Sequence, residues 1–410
     1  MKWPFAKFEE VARPGKGSIV SGPFGSNIGS RFFVNEGVPV IRGNNLTFGE
    51  RRFIDDGFVY LTEEKAREFK NCQAVAGDLV FTAAGTIGQV GIIPPDTRFD
   101  RYIISNKQLR VRCDPTKVHP LFLFLWFTTE YMRQYLINQN RGCSIPLINL
   151  GTLRNLPVPL PPLETQQTIA DTLSAYDELM ENNRRRMALL EDAARLLYQE
   201  WFVRLQFPGR EHTRITKGVP EGWDKKRLDA VAQVNRATLP GSFDGEIEYV
   251  DIASVVPGQV TDTTNVEFRD APSRARRVVQ HGDIIWSCVR PNRRSHAVIW
   301  RSAENLIVST GFAVITPTAA PSTFIYFATT TNEFVGYLEN HARGAAYPAV
   351  LAADFERAEL LIPPKRLLET FNELAEPTFS QIHNLRQQNT KLRAARDLLL
   401  PRLISGEIAV

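Results

Sequence analysis

Hydrophobic positions change period along the chain, and the changes divide it into repeating parts. In the first part, short strand-like runs at residues 38–42, 78–82 and 108–112 lie between Gly, Pro and Asn punctuation. An apolar helical run at 120–138 follows. The second half carries matching runs at 248–252, 283–287, 312–316 and 322–340. Each part is predicted to be a mixed α/β domain of about 145–160 residues, long enough to bury its own core. Prolines end both domains: Pro157, Pro159, Pro161 and Pro162 in the first, Pro363 and Pro364 in the second. A proline stop of this kind ends regular pairing because the ring removes a backbone donor.

Beyond each stop the period becomes alternately four and three. Ile169, Leu173, Tyr176, Met180, Asn183, Met187, Leu190, Ala194, Leu197 and Trp201 trace the first seam. Leu368, Phe371, Ala375, Thr378, Ile382, Leu385, Asn389, Leu392, Arg396, Leu399 and Leu403 trace the second. Apolar residues repeating in this way over several heptads predict a coiled coil. Pro377 is expected to kink or restart the second helix. One asparagine sits in each seam, Asn183 and Asn389, where a buried amide can fix register at some cost in stability.

The halves are an internal repeat. Ala76-Gly77-Asp78-Leu79-Val80-Phe81-Thr82 matches His281-Gly282-Asp283-Ile284-Ile285-Trp286-Ser287. Arg141-Gly142-Cys143-Ser144-Ile145-Pro146 matches Arg343-Gly344-Ala345-Ala346-Tyr347-Pro348, and Leu160-Pro161-Pro162 matches Ile362-Pro363-Pro364. The order domain, helix, domain, helix then fixes a geometry. If the helices pair, the second runs back along the first, antiparallel, and a pseudo-two-fold axis relates two domains at opposite ends. A helix of about 40 residues is about 60 Å long, more than the about 34–36 Å of one turn of B-DNA. The expected fold is α+β: two mixed α/β domains separated by an antiparallel coiled coil. Expected boundaries are 1–163 for the first domain, 164–206 for the first long helix, 207–364 for a linker and the second domain, and 365–410 for the second helix and tail.

Composition adds limits. With 410 residues, 43% apolar and 23% charged, the chain has the make-up of a globular protein. Its longest bulky apolar run, 121–127, is far short of the roughly 20 residues of a membrane span. The first ten residues are polar and broken by Pro4, unlike a signal peptide. A cytoplasmic protein with no membrane partner is expected. Cys72, Cys113, Cys143 and Cys288 form no CxxC pair and join no histidine cluster, so buried free thiols are expected and no metal site. The net charge of +4 decides little, but its placement decides more. Between residues 269 and 301 stand Arg269, Arg274, Arg276, Arg277, Arg290, Arg293, Arg294 and Arg301, against only Asp270 and Asp283. Such a run fits an ordinary solvated surface and, as the sharper alternative, a phosphate-facing one.

Motifs for chemistry are missing. There is no GxxxxGK[ST] and no HExxH. Ile93-Pro94-Pro95-Asp96-Thr97 lacks both the polar first residue and the aromatic last residue of an amino-methyltransferase motif, and reads as a turn. The stretch 22–29, rich in glycine, follows no clear strand and reads as a loop that approaches DNA closely. Asp78 and Asp283 read as turn residues ahead of a strand rather than catalytic acids. No cofactor is expected.

Several stretches together resemble the specificity subunits of type I restriction–modification systems. They are Pro161-Pro162-Leu163-Glu164-Thr165-Gln166-Gln167 with Ile169-Ala170 and Glu181-Asn182-Asn183-Arg184, then Leu197-Tyr198-Gln199-Glu200-Trp201-Phe202 with Phe207-Pro208-Gly209. Val219-Pro220-Glu221-Gly222-Trp223 is similar to the family's entry into its second recognition domain, and Leu398-Leu399-Leu400-Pro401-Arg402-Leu403-Ile404-Ser405-Gly406-Glu407-Ile408 to its ending. One departure is that Pro363-Pro364-Lys365-Arg366-Leu367-Leu368-Glu369 lacks the Leu-Glu-x-Gln of the first unit. The resemblance implies two target-recognition domains that bind double-stranded DNA. It also implies two methyltransferase subunits as partners and, through them, the ATP-dependent restriction subunits. The specificity subunit itself would carry no chemistry. Without the motif string and the arginine-rich loop, the repeat and rod fit equally well a scaffold joining two protein-binding domains.

Base reading needs forked or planar donors, Arg for guanine and Asn or Gln for adenine, and phosphates need cations, hydroxyls and backbone amides in loops. In the first domain these requirements select Arg42, Asn44, Asn45, Thr86, Asn106, Lys107, Arg141 and Ser144. In the second they select Arg290, Asn292, Arg293, Arg294, Arg343 and Tyr347. The repeat sets the Thr86 loop and the 290–294 loop at one position with different chemistry, as expected of readers of two unlike half-sites in a bipartite, asymmetric target.

Overall fold

The computed structural model describes residues 2–49, 51–138, 147–301, 303–344 and 346–410. They form two compact units, one of residues 1–181 with 389–410 and the other of residues 182–388.

In the first unit eight strands build two sheets: β1 (Ile19–Ser21), β2 (Val38–Ile41), β3 (Val59–Leu61), β4 (Gln73–Ala74), β5 (Leu79–Thr82), β6 (Val90–Ile92), β7 (Tyr102–Ile104) and β8 (Gln108–Val111). One sheet has the order β1-β8-β5-β6 and the other β3-β2-β7-β4. The second unit has β9 (Ala232–Val234), β10 (Glu246–Val250), β11 (Thr264–Glu267), β12 (Ala275–Val278), β13 (Ile284–Ser287), β14 (His296–Val298), β15 (Leu306–Ser309) and β16 (Phe312–Pro317). Its sheets run β9-β16-β13-β14 and β11-β10-β15-β12, the same orders shifted by eight strands. β2 pairs β7 in parallel, β10 pairs β15 in parallel, and the other pairings in these four sheets are antiparallel. The internal repeat is therefore a repeat of topology.

The two Gly-Asp matches have a structural cause. Gly77 and Gly282 take φ of +84° and +85°, a region that costs a residue with a Cβ. The next residue then folds back: Asp78 Oδ2 accepts from Val75 N at 3.0 Å, and Asp283 Oδ2 accepts from Gln280 N at 2.9 Å. The strand that follows is buried on both faces, which is why it reads as an unbroken apolar run. Leu79 and Phe81 point into the core shared with the helices, while Val80 points to the second sheet. Ile284, Trp286 and Ile285 divide in the same way.

Beyond this turn the two aspartates differ. Arg112 grips the Asp78 carboxylate through Nε at 2.8 Å and Nη2 at 2.7 Å, and buried Arg110 lies 3.8 Å away. Asp283 is as buried as Asp78 but among the described residues has no guanidinium in its grip, and burial pushes its pKa up.

Helices follow each sheet pair: α1 (Pro120–Phe127), α2 (Glu130–Asn138) and α3 (Leu163–Tyr198) in the first repeat, then α4 (Ser322–Thr329), α5 (Asn332–His341) and α6 (Lys365–Ser405) in the second. An entry strand pairs with an exit strand at the neck of each domain, Phe5–Lys7 with Pro157–Pro159 and Asp224–Arg227 with Glu359–Ile362. Within each unit the long helices pair antiparallel. In the first unit Asp177 meets Arg396 at 3.0 Å and Asn389 Nδ2 donates to Met180 O at 3.1 Å. In the second, Asn183 Nδ2 donates to Gln388 Oε1 at 3.5 Å, and the Tyr198 and Phe371 rings lie 6.0 Å apart. Every seam position read from the sequence is buried or half-buried.

One expectation about the helices needs correction. α6 does not restart at Pro377, because one helix runs from Lys365 to Ser405. Pro377 lies on the exposed face, where water can take the carbonyl its ring leaves without a partner. α3 ends in a π turn, Gln199–Val203, wide enough to turn both Trp201 and Phe202 inward. They meet Phe324, Phe371 and Trp223 in an aromatic cluster. Gln166 explains the first unit's Leu-Glu-x-Gln. Its buried amide accepts from His119 N at 2.8 Å and donates to Pro161 O at 2.9 Å, tying the start of α3 to the start of α1. The second unit lacks this glutamine and uses Thr323 Oγ1 donating to Asn372 Oδ1 at 2.7 Å.

Among the described residues, no group of three or more His, Cys, Asp and Glu is placed to hold a metal, and no helix is long and apolar enough to cross a membrane. Cys72, Cys113 and Cys288 are free thiols, and burial pushes Cys113 up to about 12 and Cys288 to about 11. Cys143 lies outside the described residues.

Candidate nucleic-acid interface

In each unit the hairpin after the Gly-Asp strand leaves the sheet at one end, and neighbouring loops gather beside it. In the first unit this is the 83–89 loop between β5 and β6. Ala83 N donates to Lys107 O at 2.7 Å, and Ile148 N donates to Ala83 O at 2.8 Å. The β7–β8 turn is thereby pinned to the hairpin, so Thr86, Asn106 and Lys107 share one exposed end of the sheet. The glycine-rich stretch lies there too, for an internal reason: a Cβ on Gly22 would stand 1.8 Å from Ser105 O. Its close approach is to the chain's own turn. Phe24, in the same stretch, is 84% exposed.

The β2 exit holds the remaining candidates of this domain. Asn44 Nδ2 donates to Gly57 O at 3.2 Å and is exposed; Arg42 Nη2 reaches the same carbonyl at 3.4 Å and is half-buried. Asn45 is corrected. It is 0% exposed, accepts from Arg42 N and donates to Ile54 O and Asp56 O at 3.0 and 2.8 Å. Both of its N–H donors are spent on its own loop and the amide is enclosed, so it presents no edge to a base. Arg141 and Ser144 lie outside the described residues.

The second unit repeats the scaffold with other side chains. Arg290 N donates to Pro348 O at 2.7 Å and Val350 N to Cys288 O at 2.9 Å, joining the 290–294 loop to the stretch around Tyr347. Arg290 and Arg294 both take left-handed backbone, φ +51° and +54°, on either side of a short turn from Pro291 to Arg293. Arginine rarely adopts that conformation, and the surrounding structure must hold it there. The Arg290 guanidinium stacks 4.7 Å from the centre of the Tyr347 ring, which is 70% exposed. Asn292 and Arg293 are exposed.

The loop faces two ways. Arg290 and Arg293 line a cleft of about 450 Å³ together with Tyr347, Arg274 and Asp251. Arg294 turns from it and donates to Asn332 Oδ1 at 2.5 Å, at the start of α5. Arg343 is tied down as well, 3.6 Å from the buried Asp354 carboxylate and paired through its backbone with Ala349. Behind the loop, His296 is buried beside Trp286, and burial together with Arg195 and Arg294 pushes its pKa down to about 3.

Arg274 and Asp251 were not among the candidates read from the sequence. Arg274 was visible only as one member of the arginine run. Asp251 follows β10 as Arg42 follows β2, and only the alignment of strands shows that these positions match.

Asn183 is buried and Asn389 half-buried, each with its amide bonded to the opposite helix within its own unit.

Comparison with known proteins agrees with this architecture. Residues 29–192 match the type I restriction modification DNA specificity domain. Over 388 residues the chain is 25% identical to the type I restriction enzyme MjaIX specificity subunit of Methanocaldococcus jannaschii, covering 91% of this chain and 87% of that protein. It is 23% identical to the HindI specificity subunit of Haemophilus influenzae, covering 76% and 83%. A crystal structure of a type I restriction–modification S subunit from M. genitalium shares the fold, with a TM-score of 0.58 at 13% identity, covering 98% of this chain and 96% of that one. Over most of its length the chain is similar to specificity subunits of type I restriction–modification systems, and residues 29–192 match their DNA specificity domain.

Proposed function

We propose that this chain reads a bipartite, asymmetric site in double-stranded DNA, one half-site with each target-recognition domain. It directs two methyltransferase subunits, and through them the restriction subunits, to that site. The observation that carries the reading is one scaffold used twice with different loop chemistry. The same end of the same sheet offers Thr86, Asn106 and Lys107 in one domain and Arg290, Asn292, Arg293 and Tyr347 in the other. One scaffold with two sets of donors suits two unlike sequences. The domains are taken as 1–163 and 207–364, with the helices at 164–206 and 365–410 between and after them. Asn183 and Asn389 are assigned to helix register.

Two copies of one partner need two equivalent faces, and the repeat supplies them. A groove of about 400 Å³ in the first unit is lined by Thr128, Thr129, Arg396 and Leu400. One of about 560 Å³ in the second is lined by Thr330, Thr331, Arg195 and Tyr198, at the same junction of short helices and long helix.

The test is a pull-down of the tagged full chain from its native host, with methylated adenines mapped with and without this gene. A methyltransferase subunit in the pull-down and loss of methylation at one split, asymmetric motif are expected. An unchanged methylome with no methyltransferase recovered would overturn the reading in favour of a protein scaffold.

A further inference from the structure

We propose that Arg274 and Asp251 together read one G·C base pair of the second domain's half-site, Arg274 donating to guanine and Asp251 accepting from the cytosine amino group. The inference rests on the half-site reading above and deepens it.

The two residues are far apart in sequence and meet because β10 and β12 both neighbour β15. Asp251 follows β10 directly, and Arg274 directly precedes β12. Each is held by a second contact. Asp251 Oδ1 accepts from Ser254 N at 2.9 Å and Ser254 Oγ at 3.0 Å, which fixes the carboxylate plane. Arg274 Nε donates to the Tyr249 hydroxyl at 3.2 Å, which fixes the guanidinium plane. Arg274 Nη2 then stands 3.8 Å from Asp251 Oδ2. That is too long for a hydrogen bond, so the pair is aligned without being closed. Both side chains line the same cleft as Arg290, Arg293 and Tyr347.

This arrangement suits a base pair and does not suit a phosphate. A carboxylate 3.8 Å from the arginine repels a phosphate. In the major groove guanine presents two acceptors, O6 and N7, and cytosine beside it presents the N4 donor. A forked donor held next to a fixed acceptor matches that edge. An A·T pair sets the adenine amino donor where guanine O6 accepts and the thymine O4 acceptor where cytosine N4 donates, and the match is lost. The first domain carries Arg42 where the second carries Asp251, so this pair of functions belongs to one half-site only.

The test expresses the full chain with its methyltransferase subunits in a host without adenine methylation and maps the methylated motif. The wild-type motif should contain a G·C pair in one half-site. Arg274→Ala should relax discrimination at that one pair by about 5- to 150-fold and leave the other positions unchanged. Arg274→Gln should shift preference at the same position from guanine toward adenine, a change that a merely structural arginine would not produce. Asp251→Asn should relax the same pair, while Lys107→Ala in the first domain should leave that half-site unaltered. A motif without a G·C pair in the half-site concerned, or uniform loss of methylation with an unchanged motif in both Arg274 variants, would overturn the inference while leaving the bipartite reading intact. A wild-type complex that methylates no defined motif would overturn both.

Discussion

Asp78 and Asp283 occupy the same place in the two repeats, make the same turn and are equally buried, yet replacing each with asparagine should have opposite effects. At Asp78 the substitution keeps the shape and an oxygen for Val75 N–H but removes the charge. Arg112 loses one of its two short bonds, and Arg110, with a side chain only 3% exposed, is left without its counter-charge beside another guanidinium. Breaking a buried pair by removing one partner costs about 3–5 kcal/mol. At Asp283 the folded protein holds a carboxylate that burial disfavours, so asparagine removes a cost and keeps an acceptor for Gln280 N–H. The expected change is between zero and about 1 kcal/mol of added stability. The pH dependence gives a second signature. The folded pKa of Asp283 lies above its unfolded value, so the folded state binds more protons between the two. Its contribution therefore falls as pH rises from about 3.8 through the folded pKa and is level above it. Asp283→Asn should abolish that fall. Urea unfolding read by hydrogen exchange on peptides from each unit would separate the effects. An equal loss of stability in both variants would refute the reasoning, since it would mean that the turn alone, and not the ion pair, sets the cost.

Other outcomes follow from the same geometry. Arg293→Ala should weaken DNA binding and lower the salt slope by about one if it contacts a phosphate, while Arg294→Ala should do less because that side chain already holds Asn332; equal effects in a salt titration would count against the division of the loop. His296 has its folded pKa pushed down to about 3, below the unfolded value, so its contribution to stability is complete above about pH 6.5 and is lost as pH falls toward 3. His296→Phe should make the acid slope shallower by up to about 1.4 kcal/mol per pH unit, and an unchanged slope would show that the imidazole already titrates in the folded state. Asn389→Leu should raise Tm, because leucine buries apolar surface at a seam position where the amide now reaches the Met180 carbonyl. A lower Tm would mean that the amide contributes more than a tolerated polar contact.

The features legible in the sequence are those a local rule dictates. The alternating four-three step can serve only a helix seam, and the Gly-Asp pair is needed wherever a left-handed turn feeds a buried strand, so the repeat announced itself through residues 76–82 and 281–287. Pro377 misled because the proline rule counts a lost hydrogen bond and takes no account of which face of the helix it falls on. Asn45 misled because residue type does not report exposure: the amide looked available and is enclosed by its own loop. The pairing of Asp251 with Arg274 was illegible for a topological reason. Two strands that never touch are brought together by a third, and no spacing along the chain records that.

The division of the chain also orders its birth. The second unit is one continuous stretch, residues 182–388, whereas the first joins residues 1–181 to residues 389–410. Leu400, Leu403 and Ile404 share a core with Phe8, Leu123 and Leu153. Contacts between residues so distant in sequence can form only after both ends exist, and domains fold as units during synthesis. The half that leaves the ribosome first is therefore completed last, by α6, after the second unit has had its full sequence available. A premature stop near residue 389 would leave the later-made half whole and strand the earlier one with an open core.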